Sequence, residues 1–517
     1  MARGVDAMIR SGPGYAAAGF VLLFIFGPLI MVFVKAGGGV LPGPGDWAAI
    51  RFSITQATLS ALFSTVLAIP VARALARRQF RGRGVLITLL GAPFILPVIV
   101  AVLGLLAVFG RSGALNSLLI WIGVPPVQIY GLHGVVLAHV FFNLPLATRI
   151  LLQAWQQIPA ERFRLAASLN LSAGQIARQL EFPMLRAAAP GAFVVIFALC
   201  LSSFTVALTL GGGPKATTVE LAIYQAFRFD FDLGRAAMLA VIQTLLVGIV
   251  ALFALKYSHG EGFGAGLDRV VTRWDAQSTL LRLNDALILI FAALFLLLPL
   301  TMVVINGIAG WSRMPAQVYS ALWVSVTIAL LSTALTLALA LPLALTALRR
   351  GWIEVIGLFG IVSSPLVLGT GLFLIVHPFA DPARLAFAVT GLVNALMALP
   401  FTLRVLIPSL RASEQNYGRL ADSLGLTGWT RLRLLLLPRA RRALGFAAGL
   451  TAAMSMGDLG VITLFADPSH ATLPLQMYRL MGAFRMEAAA GAGLVLLMSS
   501  LGLFWILDKG GRGDVDA

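Results

Sequence analysis

Apolar runs of about twenty residues recur from one end of this chain to the other, and they constrain its fold more than any other feature. A hydrocarbon layer roughly 30 Å thick offers backbone N–H and C=O groups no partner, so each run must close its hydrogen bonds internally as a helix. Twelve spans are predicted, centred approximately on residues 25, 63, 97, 142, 199, 245, 295, 331, 365, 398, 452 and 497. The expected fold class is an all-α polytopic membrane protein with about 12 transmembrane helices. Only 11% of the 517 residues are charged, against about a quarter in soluble domains, so a large soluble domain has no room. Pro70, Pro97, Pro145, Pro342, Pro365 and Pro400 fall within or near spans, where neighbouring helices can satisfy the carbonyls they free. Arg3 and Arg10 precede the apolar run Tyr15 to Val34 in the manner of a signal peptide. That run is longer than a signal core and lacks a cleavage site, so it reads as a retained first helix.

The net charge of +17 invites a nucleic-acid reading, but the cations stand singly or in pairs at the ends of apolar runs. That is the distribution that sets membrane topology. With the N-terminus in the cytoplasm, cytoplasmic segments hold 28 of the 38 Lys and Arg residues. The expected arrangement therefore has both termini cytoplasmic.

The two halves repeat. Arg164–Leu171 and Arg419–Leu426, 255 positions apart, are identical at six of eight residues, and Arg178, Leu180 and Pro183 fall on Arg433, Leu435 and Pro438. The same offset pairs Leu144, Pro145, Arg149 and Leu151 with Leu399, Pro400, Arg404 and Leu406. Further upstream, Pro70, Ala72, Arg77 and Arg78 align with Pro342, Ala344, Arg349 and Arg350 at an offset of 272. Six spans in each half give both copies the same orientation, a parallel repeat. The expected organisation is a first repeat at 1–256 with a cytoplasmic loop at about 155–187, a cytoplasmic linker at 257–282, and a second repeat at 283–517 with its loop at about 411–441.

Each loop carries a short amphipathic helix. Leu165 and Leu169 lie four apart beside Arg164 and Ser168, as do Leu420 and Leu424 beside Arg419 and Ser423. Ser172 to Gly174 and Thr427 to Gly428 then break the helix. One such loop by itself reads as an amphipathic piece held by lipid headgroups. Two at equivalent places, facing one compartment, read as docking elements for a symmetric partner.

Both stretches resemble the EAA loop of binding-protein-dependent ABC importer permeases, whose pattern is Glu-Ala-Ala, three residues, Gly, then twelve residues to a Pro. The spacing is kept, while Arg164 and Arg419 stand at the Glu position, Leu165, Ala166, Leu420 and Ala421 at the Ala positions, and Asn170 and Gly425 at the Gly position. The resemblance implies that an ATP-binding subunit docks on Arg164, Ala166, Ser168, Leu169, Asn170 and Leu171, and on Arg419, Ala421, Ser423, Leu424, Gly425 and Leu426. Asn tolerates left-handed geometry better than other non-Gly residues. The Asn170 and Gly425 difference nevertheless predicts docking sites that are not equivalent.

A wider resemblance rests on PFILPVIVAVLGLLAVFGR, YGLHGVVLAHVFFNLPLATRILLQ, LGGGPKATTVELAIYQAF, RAAMLAVIQ and SMGDLGVITLF. These segments look like the fused, two-domain permease of bacterial thiamine and thiamine pyrophosphate ABC importers. That family implies a multi-pass inner-membrane subunit carrying thiamine or thiamine pyrophosphate from periplasm to cytoplasm. Its implied partners are two copies of a cytoplasmic ATP-binding subunit, a periplasmic substrate-binding protein, membrane lipid and the small-molecule substrate, with no nucleic acid. The run at Gly457 to Gly460 resembles a pattern shared with permeases for ferric iron, polyamines and oxyanions, which leaves iron or polyamine import as the alternative.

No G-x-x-x-x-G-K-[ST] motif occurs, so ATP hydrolysis is expected on a separate subunit and this chain is expected to be a transport subunit, not an enzyme. His133, His139, His259, His377 and His470 are dispersed, and Cys200 is the sole cysteine. No metal, cofactor or intrachain disulfide is expected. Lys215, Ala216 and Thr217 align with His470, Ala471 and Thr472 at the 255 offset, on the outer side of the fifth and eleventh spans. Their placement suggests a gate that meets a substrate-binding protein, or ordered loop packing. Asp458 is an intramembrane acid, which costs about 2.5–3.5 kcal/mol to insert and so faces a wet path or a hydrogen-bonding partner. It aligns with Ser203. Ser203, Thr205, Lys215, Thr217, Asp458, His470 and Thr472 form the candidate translocation path. An ion-gradient-driven secondary transporter is the competing class, but it needs coupling acids or histidines in several spans where this chain offers essentially Asp458. A membrane enzyme lacks the acid, base or metal-ligand cluster it would require.

Overall fold

In the computed structural model, residues 12–37, 39–91, 95–257, 273, 277–465 and 471–512 are described, and they contain helices and turns with no strand. The first half comprises α1 (Gly12–Ala36), α2 (Pro44–Arg77), α3 (Arg83–Leu89), α4 (Val98–Phe109), α5 (Ala114–Trp121), α6 (Leu132–Gln156), α7 (Ala160–Ser168), α8 (Ala173–Ile176), α9 (Phe182–Leu201), α10 (Thr205–Leu210), α11 (Val219–Arg228) and α12 (Leu233–Tyr257). The second half comprises α13 (Thr279–Gly310), α14 (Gln317–Ala347), α15 (Trp352–Val362), α16 (Pro365–Val376), α17 (Ala386–Ser423), α18 (Gly428–Arg431), α19 (Leu437–Met456), α20 (Gly460–Phe465), α21 (Leu473–Gly482) and α22 (Met486–Arg512). Arg3, Arg10 and most of the expected linker at 257–282 lie outside the described residues.

Eleven helical segments among the described residues are long and apolar enough to cross a membrane, one fewer than the twelve spans expected. The difference lies at the run around residue 365. Ser364 accepts from the N–H groups of Leu366 and Val367 at 3.2 and 3.5 Å, and Pro365 occupies the first helical position. That start signal splits the apolar stretch into α15 and the 12-residue α16, too short by itself to span.

Within each half the second, fourth and fifth spans pack on one another: α2 with α6 and α9, and α14 with α17 and α19. The first helices cross between the halves. α1 lies on α14 and α16 of the second half as well as on α12 of its own, and α13 lies on α2 and α4 of the first as well as on α22 of its own. Each crossing is made by a glycine pressed on the backbone of a helical proline. A Cβ added to Gly104 on α4 would stand 2.6 Å from the Pro299 carbonyl oxygen of α13, and one on Gly371 of α16 would press on the Pro28 carbonyl oxygen of α1. Without a hydrophobic force between helices in lipid, such close backbone contact supplies much of the association.

The cationic end of α2 reinforces one crossing. Arg77 and Arg78 donate through Nε to the buried Asp285 carboxylate of α13 at 2.8 and 2.6 Å. Their counterparts, Arg349 and Arg350, follow α14, where the Arg350 guanidinium lies 5.5 Å from the centroid of Tyr15 on α1. The repeated Arg pair therefore meets a carboxylate at one crossing and an aromatic face at the other.

Gly104→Val and Gly371→Val are expected to lower thermal stability in detergent by about 1–3 kcal/mol, the usual cost of overpacking. Gly19→Val, where an added Cβ meets nothing within 4 Å, is expected to leave it unchanged. Asp285→Asn removes the carboxylate that two arginines share, and is expected to destabilise by about 3–5 kcal/mol in the same assay.

Candidate functional site

The two loops start from different backbones and end in the same one. Pro159 stands at the N-cap of α7, so α6 and α7 are separate helices. At the equivalent position 255 residues on, Glu414 allows α17 to run unbroken from Ala386 to Ser423. Beyond that point the copies coincide. Leu169 N–H donates to Leu165 O and Leu171 N–H to Ala166 O at 3.0 Å each, while Leu424 donates to Leu420 O at 3.0 Å and Leu426 to Ala421 O at 2.9 Å. Asn170 (φ 49°) and Gly425 (φ 65°) take the left-handed position that closes each helix. Their difference therefore leaves the turn backbone the same. Both copies then enter a π-helical turn, Ala177–Glu181 and Leu432–Leu436, before the next span.

The exposed faces match too. Leu165 and Leu169 are 60% and 63% exposed, Leu420 and Leu424 57% and 65%. Arg164, Ser168, Arg419 and Ser423 flank them, and both serine hydroxyls turn back to donate to the carbonyl three residues earlier at 2.8 Å. Ala166 and Ala421 are buried, so they seat each helix on the loop instead of facing outward.

The copies differ underneath. In the first, Phe163, Ala166 and Ile176 are buried in an apolar cluster with Trp155 and Ile158. In the second, Gly418 and Arg431 replace Phe163 and Ile176, and Arg431 reaches Glu414, Asp422 at 2.5 Å and the Gly418 carbonyl at 3.3 Å. The first loop has its own ionic tie: buried Glu181 meets Arg73 of α2 at 2.8 Å and Arg273 of the linker at 2.5 Å, while Trp155 Nε1 donates to it at 3.4 Å.

The expected path residues occupy several local settings. Ser203 lies in the break between α9 and α10, and Thr205 opens α10. Lys215 is exposed in a turn, Thr217 donates to the Gly213 carbonyl at 3.4 Å, and His470 lies outside the described residues. Asp458 accepts from the Gly460 N–H at 3.2 Å, and, with the Asn394 amide turned so that its oxygen accepts from Ser455, the Asn394 nitrogen donates to Asp458 at 3.2 Å. Its carboxylate thus holds the break between α19 and α20 on α17.

Register also shifts in this region. Thr218 and Thr472 stand at the N-cap positions of α11 and α21, where the Thr218 hydroxyl accepts from the Leu221 N–H at 3.2 Å, and the next residues, Val219 and Leu473, donate N–H to Ser53 and Ser325 at 2.8 and 2.7 Å. These equivalences are 254 residues apart, so Thr472 corresponds to Thr218 and not to Thr217. The reason is a connection one residue shorter in the second half. In the corrected register Tyr224 corresponds to Tyr478, and both line a cavity of about 200 Å³ with Leu208, Gly212, Gln225 and Phe229. None of the expected path residues that are described lines it. Sequence reasoning also missed Glu220, an acid only 1% exposed. It accepts from Gln243 Nε2 at 2.9 Å, and the same amide donates to the Leu201 carbonyl at 3.0 Å. Its position within a helix of apolar spacing was the available signal.

No family model matches the chain. Curated proteins do. It is 38% identical over 515 residues to the thiamine transport system permease protein ThiP of Salmonella typhimurium, covering 96% of each chain. The protein of that name from Escherichia coli is 39% identical over 477 residues (90% and 89% covered), and that from Brucella abortus 36% over 514 (96% and 94%). End-to-end similarity at this level, on a duplicated helical fold with paired loops, means that the chain belongs to the family of thiamine transport system permease proteins.

Proposed function

We propose that the chain is the membrane permease of an ATP-driven importer that moves thiamine or thiamine pyrophosphate from periplasm to cytoplasm across a bacterial inner membrane. The observation that carries this reading is full-length similarity to relatives whose names state thiamine transport. Those relatives give no support to ferric iron, polyamines or an ion-gradient mechanism. The charge bias places both termini and both loops in the cytoplasm.

In this reading each pair of exposed leucines enters a cleft on one copy of an ATP-binding subunit, with the flanking arginines fixing its orientation. Two loops with the same exposed backbone suit two copies of one partner. Their separate internal ties, apolar plus Glu181 in one and Arg431 in the other, keep each helix rigid enough to transmit displacement. Because α1 and α13 cross between the halves, force on either loop also loads the opposite half, and the halves rock as a unit. A periplasmic binding protein delivers substrate at the outer side, where α11 and α21 lie.

Leu165→Glu with Leu169→Glu, or Leu420→Glu with Leu424→Glu, is expected to reduce retention of the ATP-binding subunit at least about tenfold and to abolish thiamine uptake, with membrane insertion intact. Normal co-purification in the quadruple variant would sink the docking assignment. Asn170→Gly is expected to preserve uptake, whereas Asn170→Val strains the left-handed turn by about 1–2 kcal/mol and weakens ATP-binding-subunit retention in a pull-down.

A further inference from the structure

Glu181, an acid only 2% exposed, ends the π-helical turn of the first loop and gathers groups from three other segments. Arg73 of α2 pairs with one carboxylate oxygen at 2.8 Å and Arg273 of the linker with the other at 2.5 Å, while Trp155, at the end of α6, donates to it at 3.4 Å. Arg273 is itself buried, and its guanidinium lies 4.8 Å from the centroid of the Phe163 ring. Phe163 is a buried residue of α7, the helix that exposes Leu165 and Leu169. On the other side, Arg73 stands one helical turn before Arg77, which donates to Asp285 of α13 at 2.8 Å. A chain of contacts therefore runs from α7 through Arg273, Glu181 and Arg73 to α2, and along α2 to the crossing helix α13.

The repeat did not keep this chain. At the repeat offsets, Leu345, Leu410, Gly418 and Leu436 stand for Arg73, Trp155, Phe163 and Glu181. The second loop is tied within itself, by Arg431 to Glu414, Asp422 and the Gly418 carbonyl. A carboxylate taken out of water is costly unless its charge is matched, and removing one member of a buried pair leaves the other uncompensated. Two guanidinium groups and an indole N–H match Glu181, which fixes the position of α2 and of Arg273 relative to the π-helical turn. A packed, charge-matched network of this kind can pass a displacement from one element to another. Arg273 belongs to the segment that joins the halves and leads into α13 at Thr279, so the linker is a working member of the network as well as a tether.

We propose that Arg273 is a positioning residue for energy coupling: it locks the docking helix α7 to Glu181 and, through Arg73, to α2 and α13, so that displacement of the first loop reaches the crossing between the halves. This role rests on the importer reading and deepens it, making the two docking loops unequal in coupling although their exposed faces are alike.

The test reconstitutes the permease with its ATP-binding subunits in proteoliposomes, adds the periplasmic binding protein loaded with labelled thiamine, and reads thiamine imported per ATP hydrolysed beside retention of the ATP-binding subunit. Arg273→Gln, which leaves Glu181 paired with Arg73 and Trp155, is expected to lower that ratio at least about fivefold while retention stays within about twofold of wild type. Arg273→Lys keeps the charge and is expected to restore at least about half of the wild-type ratio. Glu181→Gln combined with Arg273→Gln is expected to do no more damage than the worse single variant, because members of one network are not additive. An unchanged ratio in Arg273→Gln overturns the role. A fall in retention that matches the fall in uptake also overturns it, since that outcome means support of the docking surface alone. Losses that multiply in the double variant place the two residues on separate routes and overturn the chain. Failure of the complete wild-type system to import thiamine or thiamine pyrophosphate overturns the importer reading itself.

Discussion

Backbone-to-backbone contact between helices that cross from one half to the other is the constraint on which the rest depends. Gly104 against Pro299 and Gly371 against Pro28 let α13 and α1 cross onto the opposite halves at a distance that any side chain would prevent. Lipid supplies no hydrophobic force to bring these helices together, so close approach and polar pairing must. Asp285 with Arg77 and Arg78 adds the polar part at one crossing, and Tyr15 under Arg350 at the other. A fused chain thereby becomes one interlocked body whose halves cannot separate without breaking both crossings.

The two repeated loops show how duplicated sequence diverges while its exposed surface is kept. Exposed leucines, arginines and serines recur in register, as do the left-handed closure and the π-helical turn. Beneath them, Phe163 and Ile176 exchange for Gly418 and Arg431, and a proline break exchanges for a continuous helix carrying Glu414. An apolar contact has become an ionic one in the same space. What faces outward has changed less than what supports it.

Much of this was legible in order of residues, and the misses have identifiable causes. The spans, the parallel repeat and the loop helices followed from apolar spacing and from the match of Arg164–Leu171 with Arg419–Leu426. The run around residue 365 is divided between α15 and α16, because composition does not register a Ser364–Pro365 helix start inside an apolar run. Asn170 takes the same left-handed φ as Gly425, in keeping with the tolerance of its side chain for that geometry. Tyr224 and Tyr478 escaped notice because a fixed 255 offset sets Tyr224 beside Arg479, one residue out of step.

The sequence by itself determined helix content, span placement, duplication and the amphipathic loops, because each depends on the spacing of residues along one segment. Tertiary structure alone decided which helices of the opposite half each first helix meets, which acid ties a break and which enters a polar network, and which residues wall the cavity. Those outcomes depend on loop length and on contacts between residues hundreds of positions apart. A single-residue difference between two connections was enough to move a tyrosine into register with its counterpart.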